Sequence, residues 1–249
     1  MLAQVIRTVT YVPAEYLGTM NDIAHKLQGE GAGDLQTRLN LILREPVASS
    51  AETVDLSKIP SEFQPSAKLY LKLFGKMPDF SGLVMPQAED GGNHIVVVIA
   101  KEIVEWTNNP KEGLFQARKK LFPTWKYDND SLDFLIPMDH DQRDLRKGSY
   151  IVLMRDSETP DSDLMNLSAN QIAEMNVKTS TDTEYALFSG IFFLKHGHHP
   201  DRKTWTINSG SRYRDGSVPR GGWRGSESRV YWFNAAGHNP GLGSRRVLI

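Results

Sequence analysis

The sequence predicts an α+β fold with short strands and long loops, preceded by an N-terminal helical extension. In the first part of the chain, apolar residues recur at three- and four-residue spacing, which is the pattern of helices that bury one face. After Gly197 this spacing gives way to short apolar runs between stretches rich in Gly, Ser and Asn, which is typical of strands joined by loops. The runs at 205–207, 230–233 and 246–248 predict short strands, and the glycine-rich stretches between them predict loops. Connections of this length inside a domain are uncommon unless they serve a function.

The N-terminal extension comprises residues 1–60. Apolar positions at helical spacing predict helices over residues 13–28 and 32–44, separated by a glycine-rich break. Residues 48–57 are small and polar, and we expect them to form a linker. Residues 61–249 then make up the second domain.

The central part of the chain contains two predicted buried strands with a helix between them. The run HIVVVIA at 94–100 is rich in β-branched residues, which favour strands. The run GSYIVLM at 148–154 predicts the second strand. A helix is expected over 111–121 because Pro110 precedes it, and proline suits the first turn of a helix.

Two capping boxes mark the starts of the next helices. Ser168 and Gln171 form the first pair, and Thr181 and Glu184 form the second; in each pair the two side chains satisfy each other's backbone N–H groups. The second helix should end at Gly197, since glycine readily adopts the left-handed conformation that stops a helix. Its sequence, TEYALFSGIFFLKH, is apolar around most of its circumference, so we expect it to be buried.

Composition excludes several classes of protein. The chain has no cysteine, which removes disulfides, thiolate nucleophiles and Cys-ligated metal centres. No apolar run is long enough to span a bilayer, and the N-terminus lacks the pattern of a signal peptide. These observations predict a cytoplasmic protein.

Charge is distributed unevenly along the chain, although the net charge is −1. Residues 195–249 contain ten Lys and Arg against three Asp and Glu, whereas residues 1–194 contain 19 against 27. One interpretation is that the acidic body and the basic tail dock on each other, within one chain or between copies. The other is that the tail forms a surface that attracts anions.

The common catalytic and metal-binding motifs are missing or incomplete. There is no Gly-x-Ser-x-Gly elbow, phosphate loop or dinucleotide fingerprint. The motif HGHH at 196–199 offers imidazoles, but no acidic or thiol partner stands at a familiar ligand spacing. The motif MDHDQRD at 138–144 resembles the start of a calcium loop, but Arg143 occupies a ligand position and no glycine follows. We therefore expect no catalytic residues, no metal and no cofactor.

A family resemblance is confined to residues 166–249. It rests on three blocks, NLSANQ, TDTEYALFSGIFFLKHG and WTINSGSRYRDGSVP, followed by Trp223, RVYW and LGSRR. Together they resemble a group of uncharacterised bacterial proteins whose tails repeat an SGSR…DG.VP…W…V.W…R frame. The final stretch also resembles the end of the C-type-lectin fold of formylglycine-generating enzymes and of variable proteins from diversity-generating retroelements. The segments PRGGW, RV and LGSRR stand in the corresponding places.

The resemblance implies a C-type-lectin-like domain over 61–249 with a ligand-binding segment at about 208–246. Formylglycine-generating enzymes rely on copper-binding cysteines, which this chain lacks; Asn208 stands where the related proteins carry Cys. Calcium-dependent sugar binding needs an acidic residue before Asn-Pro, and His238 occupies that place. The variable-protein interpretation remains, in which a rigid scaffold presents a surface that tolerates substitution.

Under this interpretation the residues of the tail divide into two sets. The residues that match the frame form the scaffold: Ser209, Arg212, Val218, Trp223, Val230, Trp232, Leu242 and Arg245. The residues between them are expected to face a ligand: Tyr213, Arg214, Arg220, Arg224, Glu227, Tyr231, Phe233, Asn234, His238 and Asn239. Alternation along the strand predicted at 230–233 places Val230 and Trp232 on its inner face and Tyr231 and Phe233 on its outer face. Tyr offers rigid contact area, Asn offers adaptable hydrogen bonding, and Arg adds stacking and bidentate anion contacts.

The predicted function is therefore non-enzymatic recognition of a protein or other macromolecular ligand by a diversified C-terminal surface. Two alternatives stay open. One is a structural or assembly protein that forms homo-oligomers through its acidic body and basic tail. The other is a nucleic-acid-associated module in which the basic, aromatic tail contacts phosphates and stacks on bases. A further possibility for the tail is that its aromatic residues only cover the core of a loop-rich domain.

Overall fold

The computed structural model describes residues 55–88 and 91–249, so the helices predicted at 13–28 and 32–44 and most of the predicted linker lie outside it. The helices of the described chain are α1 (Gln64–Phe74), α2 (Glu102–Thr107), α3 (Pro110–Arg118), α4 (Leu132–Leu135), α5 (Ala169–Glu174) and α6 (Asp182–His196). The strands are β1 (His94–Ile99), β2 (Thr124–Lys126), β3 (Tyr150–Arg155), β4 (Trp205–Ile207), β5 (Val218–Arg224), β6 (Glu227–Phe233), β7 (Leu242–Gly243) and β8 (Val247–Leu248). The α+β prediction is confirmed. None of the described helices has the length and apolar character to cross a membrane.

Helix α6 lies at the centre of the core. The predicted capping box is present, with Thr181 accepting from the Glu184 N–H at 3.2 Å and Glu184 accepting from the Thr181 N–H at 2.8 Å. The helix ends at Gly197, whose φ of 71° is left-handed. Every residue from Asp182 to Phe192 is buried, because α1, α3, β1 and β5 pack around the helix. The prediction of a buried helix is confirmed.

A three-stranded antiparallel sheet with the order β1-β3-β8 packs on one side of α6. Its other face is covered by a second apolar cluster that includes Phe63 and Ala67. The free edge of β1 is occupied by side chains of α1: the Tyr70 hydroxyl donates to the Val98 carbonyl at 2.9 Å, and Ser66 accepts from the Val98 N–H at 3.1 Å. These contacts satisfy backbone groups that an open edge would leave free.

A five-stranded mixed sheet with the order β2-β6-β5-β4-β7 forms the C-terminal half of the domain. Strands β5 and β6 make its central antiparallel hairpin, with Val218 opposite Phe233 and Arg224 opposite Glu227. The tight connection contains Gly225, whose φ is 62°, as hairpin turns require.

Strand β5 lies in a stretch that the sequence predicts to be a glycine-rich loop, and that prediction is wrong. The glycines serve close packing instead of a turn. A Cβ on Gly221 would collide with the ring of Tyr185 on α6, and a Cβ on Gly222 would lie 3.0 Å from the Trp205 ring. Small residues let the strand approach the helix closely, so their presence does not break the strand.

Candidate ligand-binding surface

The β5–β6 hairpin has an inner face toward α6 and an outer face away from it. Paired residues of an antiparallel ladder share a face. Gly221 lies against the Tyr185 ring of α6, so Gly221 and its partner Val230 belong to the inner face. Arg220 and its partner Tyr231 point outward. The inner face is held further by Arg118 of α3, whose buried guanidinium donates at 2.9 Å to hydroxyls on α6 and β6. One face of the hairpin therefore belongs to the core.

The outer face carries alternating arginine and aromatic side chains. We call this set the arginine–aromatic face, and its members are Trp125, Trp205, Arg220, Arg224, Arg229, Tyr231 and Phe233. The Arg220 guanidinium carbon lies 4.6, 5.4 and 5.0 Å from the ring centres of Trp205, Tyr231 and Phe233, respectively. The Arg224 guanidinium lies 4.2 Å from the Trp205 ring centre, and that of Arg229 lies 5.3 Å from the Trp125 ring centre. These are cation–π distances, so rings and guanidinium groups hold one another in place.

The three arginines of this face have different polar partners. Arg224 donates at 2.7 Å to the main-chain carbonyls of Asp201, Thr204 and Trp223, and so ties the hairpin to the preceding loop. Arg229 forms an ion pair with Glu227 at 2.9 Å. Burial lowers the pKa of Arg220, which nevertheless stays charged because an arginine begins from a very high pKa.

Within the described part of the chain, Arg220 has no hydrogen-bond or ion-pair partner. Its Nε is buried and has no hydrogen-bond partner. No carboxylate among the described residues forms an ion pair with it. Its guanidinium instead makes cation–π contacts with the surrounding rings of Trp205, Tyr231 and Phe233.

Two grooves open beside this face and share a wall. The first, which we call the Arg220 groove, has a volume of about 310 Å³ and is lined by Tyr127, Arg220, Tyr231, Trp232, Phe233 and Asn234. The second, the Tyr213 groove, has a volume of about 290 Å³ and is lined by Tyr127, Asp128, Phe134, Leu135, Tyr213, Arg214, Asp215 and Trp232. Tyr127 and Trp232 line both, with ring centres 6.2 Å apart in an edge-to-face arrangement. The grooves thus form one winding surface around the end of the hairpin.

Trp232 is 48% exposed, so the prediction that it belongs to the buried scaffold is wrong. It shares the inner face with Val230, as the alternation predicts. Val230 packs into a cluster with Phe115 and Leu132, whereas the helical layer leaves the Tyr213 groove open at Trp232. The strand extends beyond the layer that covers it.

Tyr213 is only 9% exposed, so the prediction that its side chain faces outward is wrong. Its ring joins the buried cluster of Phe115, Ile136 and Val230, and one edge reaches the groove named after it. The next residue, Arg214, is exposed and places its guanidinium 4.4 Å from the Phe134 ring centre. Tyr213 therefore supports the surface from below.

The last three predicted ligand-facing residues, Asn234, His238 and Asn239, lie at or beside the edge of the Arg220 groove. Asn234 lines the Arg220 groove, and its side-chain oxygen accepts from the Ala236 N–H at 2.9 Å. His238 and Asn239 are exposed on the following loop and line neither groove. His238 contacts the Asn166 side chain at 3.2 Å, and Asn239 accepts from the Gly241 N–H at 2.9 Å. These two residues shape the loop next to the grooves.

The frame residues are held by a buried polar network. Arg245, only 2% exposed, forms an ion pair with Asp201 at 3.0 Å and donates to the Thr206 hydroxyl at 3.0 Å. The same Asp201 carboxylate accepts from the Tyr185 hydroxyl at 2.9 Å. Each buried charge thus has a partner, which is the condition for burying charge at tolerable cost.

The HGHH motif contributes to structure in three different ways. His196 lies 2.8 Å from an Asp156 oxygen, and His198 lies 2.7 Å from a Glu158 oxygen. His199 is stacked on the Trp223 ring at 3.6 Å with an interplanar angle of 4°. Burial, together with nearby positive charge, lowers the pKa of His199 to about 4. No group of three or more His, Asp or Glu residues in the described chain is arranged to hold a metal ion.

Acidic and basic side chains of the two charge regions meet within one chain. Lys195 pairs with Asp156 at 2.7 Å, and Arg246 pairs with Asp163 at 2.8 Å. The central acidic motif is also absorbed into the fold, since Asp141 forms a buried ion pair with Lys111 at 2.8 Å. These contacts agree with docking of the tail on the body inside the molecule.

Sequence reasoning did not identify Trp125, Tyr127 and Trp205 as part of the surface. A signal for the first two was present, because TWKY at 124–127 alternates aromatic residues around Lys126, as a strand with one aromatic face does. Trp205 was placed correctly on a short strand. Its position beside β5 depends on the pairing of β4 with β5, which a single sequence does not specify.

Comparisons with protein-family models, with curated proteins and with solved structures each found no match to this chain.

Proposed function

We propose that this protein is a non-enzymatic ligand-binding protein, and that the arginine–aromatic face with its two grooves recognises a macromolecular ligand. The observation that carries the proposal is a separation of roles in the tail. Frame residues such as Val218, Leu242 and Arg245 are buried, while residues between them line two adjoining grooves. The exposed members are substitutable without loss of the core.

The chemistry of the surface suits recognition of a large ligand. Trp, Tyr and Arg are the residue types that contribute most to binding energy at interfaces. Tyr231 and Trp232 have few rotatable bonds, so ordering them on binding costs little conformational entropy. The Tyr231 ring centre lies 4.8 Å from that of Trp125, and the Trp232 ring centre lies 6.2 Å from that of Tyr127, so both rings are positioned by aromatic neighbours. A positioned aromatic surface loses less freedom when a partner binds.

The Asp215 carboxyl in the Tyr213 groove is not suited to acid–base catalysis. Asp215 accepts hydrogen bonds from Ser217, which lower the pKa of that carboxyl. A general acid or base needs a pKa near the working pH. Asp141, whose pKa burial raises to about 6, is enclosed with Lys111 away from both grooves.

The proposal also includes a C-type-lectin-like fold and diversification of the C-terminal segment. A C-type-lectin-like domain over 61–249, diversified at about 208–246, is supported by short strands, long connections and a buried arginine near the end of the chain. Sequencing of the DNA beside the gene tests diversification. We expect a near-copy of the region that encodes residues 208–246, differing mainly at adenines; a locus without such a copy would contradict it.

The binding role itself is tested with a displayed library of peptides and small protein domains selected on the whole chain. Trp232→Ala removes the ring that lines both grooves and should weaken the selected ligands by about tenfold or more. Met175→Ala is the matched control, because Met175 is 47% exposed and lines neither groove. Equal affinity for the unaltered chain and the Trp232 variant would reject the proposed surface.

A further inference from the structure

Arg220 is a half-buried cation whose guanidinium lies among aromatic rings. Three aromatic rings surround its guanidinium, and its Nε is buried without an acceptor. The buried Nε is closed to a ligand, so an anion would contact the terminal Nη groups. An ion pair there would stabilise a half-buried charge that lacks a partner in the described part of the folded chain. The folded protein therefore holds a positioned guanidinium whose hydrogen-bonding capacity is unused.

The other arginines of the arginine–aromatic face, and Lys126 on the adjacent strand β2, already have polar partners. Arg229 is paired with Glu227, and Lys126 is paired with Glu112 at 2.7 Å. Arg224 donates to main-chain carbonyls of the neighbouring loop. Among the described residues, Arg220 is thus the cation of this face that has neither a hydrogen-bond nor an ion-pair partner.

The Arg220 groove has the composition of a site for one isolated anion flanked by apolar groups. Its lining contains no Asp or Glu, and its walls are the rings of Tyr127, Tyr231, Trp232 and Phe233. A planar guanidinium binds a carboxylate through two parallel hydrogen bonds. The rings beside it accept apolar side chains of the same ligand.

We propose that the Arg220 groove binds a carboxylate of a polypeptide ligand, from an Asp or Glu side chain, with adjacent apolar residues of the ligand on Tyr231 and Trp232. This inference rests on the proposed function, since it names the chemistry of the ligand at that same surface. The guanidinium supplies the anchor, and the aromatic walls lower the local dielectric and so strengthen the ion pair.

A nucleic acid fits this surface less well than a polypeptide. Binding of a polyanion needs a series of available cations along the phosphate backbone. Here the neighbouring groove contains Asp128 and Asp215, and Glu227 lies on the same face as Arg220. Arg214 is the second available guanidinium, but it lies in the groove that contains those two acids, so the surface offers no continuous series of cations for a phosphate backbone.

The test uses the whole chain and random linear peptides selected on it by display. Selected peptides should be enriched in Asp or Glu next to apolar residues. Replacing that acid by its amide should weaken binding on the order of 10- to 100-fold, and so should Arg220→Leu. The two changes together should cost no more than either alone, which shows that the two groups contact each other.

Two further variants make the result specific. Arg202→Leu removes an exposed guanidinium that lines neither groove and should leave the acid dependence unchanged. Arg220→Lys keeps the charge and loses the planar fork, so its affinity should fall between those of the unaltered chain and Arg220→Leu. If circular dichroism shows that Arg220→Leu melts at a lower temperature than the unaltered chain, the affinity of Arg220→Lys is the result that tests the anchor.

Failure of the anchor is distinguishable from failure of the surface. If acid and amide peptides bind equally while Trp232→Ala abolishes binding, the carboxylate anchor is overturned and the binding surface stands. If no peptide is selected and a single-stranded oligo(dT) binds with strong salt dependence, the peptide ligand and its anchor are both overturned.

Discussion

The two sheets of this domain share one central helix but differ in what covers them. The three-stranded sheet is covered on both faces, and the edge of β1 is occupied by Ser66 and Tyr70 of α1. The five-stranded sheet is covered by α6 on its inner face, while its outer face carries the arginine–aromatic set. At one end of that outer face, Val218 packs with Ala169 of α5. Beyond this end, the rings and guanidinium groups border open grooves. The first sheet serves stability, and the second combines stability with a surface available for binding.

The largest expected effect lies in the polar network beneath the second sheet. Asp201→Ala leaves the Arg245 guanidinium and the Tyr185 hydroxyl without their shared acceptor. Loss of one partner of a buried ion pair costs about 3–5 kcal/mol, so the free energy of unfolding in urea should fall by that amount. Asp163→Ala, which removes the exposed partner of Arg246, is the control and should cost less than about 1 kcal/mol. Similar losses for both variants would show that the network does not hold the tail.

A smaller effect is expected where the hairpin meets α6. Gly221→Ala introduces a Cβ where the Tyr185 ring lies, and overpacking of this kind costs about 1–3 kcal/mol. Ser226→Ala in the exposed hairpin turn should leave the melting temperature nearly unchanged. If Gly221→Ala also leaves the melting temperature unchanged, the hairpin is not packed against α6 as closely as the contact indicates.

His199 should make stability depend on pH. Burial between aromatic rings, together with the positive charge of Arg118, lowers the pKa of His199 to about 4 from its ordinary 6.5. As the pH falls below 6.5 the unfolded chain binds the proton first, so stability is full above pH 6.5 and is lost as the pH falls toward 4. The loss should be on the order of 1 kcal/mol after solvent screening. Urea titrations at several pH values should show this slope for the unaltered chain and a weaker one for His199→Phe.

The smallest effect on stability is expected on the open surface. Trp232→Ala removes a ring that is 48% exposed, so the free energy of unfolding should change by about 0.5 kcal/mol or less. A loss comparable to that of Gly221→Ala would identify Trp232 as a core residue and would contradict its assignment to the surface.

Local signals in the sequence predicted the covered parts of the fold well. The pair Thr181 and Glu184 located the start of α6, and the β-branched run at 94–100 located β1, because capping and strand propensity act between neighbouring residues. Strand β5 was missed because Gly221 and Gly222 pack against the rings of Tyr185 and Trp205, which are distant in sequence.

The surface was predicted less well, and for a related reason. Alternation along β6 correctly placed Val230 and Trp232 on one face. Alternation does not indicate how far the helices that cover this face extend along the strand. Trp232 lies beyond the helices that cover the inner face and borders an open groove. Tyr213 lies in a loop, where no alternation can be read, and its ring is buried in a cluster with Phe115 and Val230. Exposure therefore depends on contacts between distant segments, which a single sequence does not specify.

Hydroxyl-radical footprinting of the whole chain, with and without a selected peptide ligand, tests the central claim most directly. The method reports the solvent access of aromatic and methionine side chains. We predict that Tyr127, Tyr231 and Trp232 become protected on binding, while the exposed Met175 is labelled to the same extent in both states. Protection of Met175, or of residues near the three-stranded sheet, with unchanged labelling of Trp232 would contradict the assignment of the ligand to the arginine–aromatic face and its grooves.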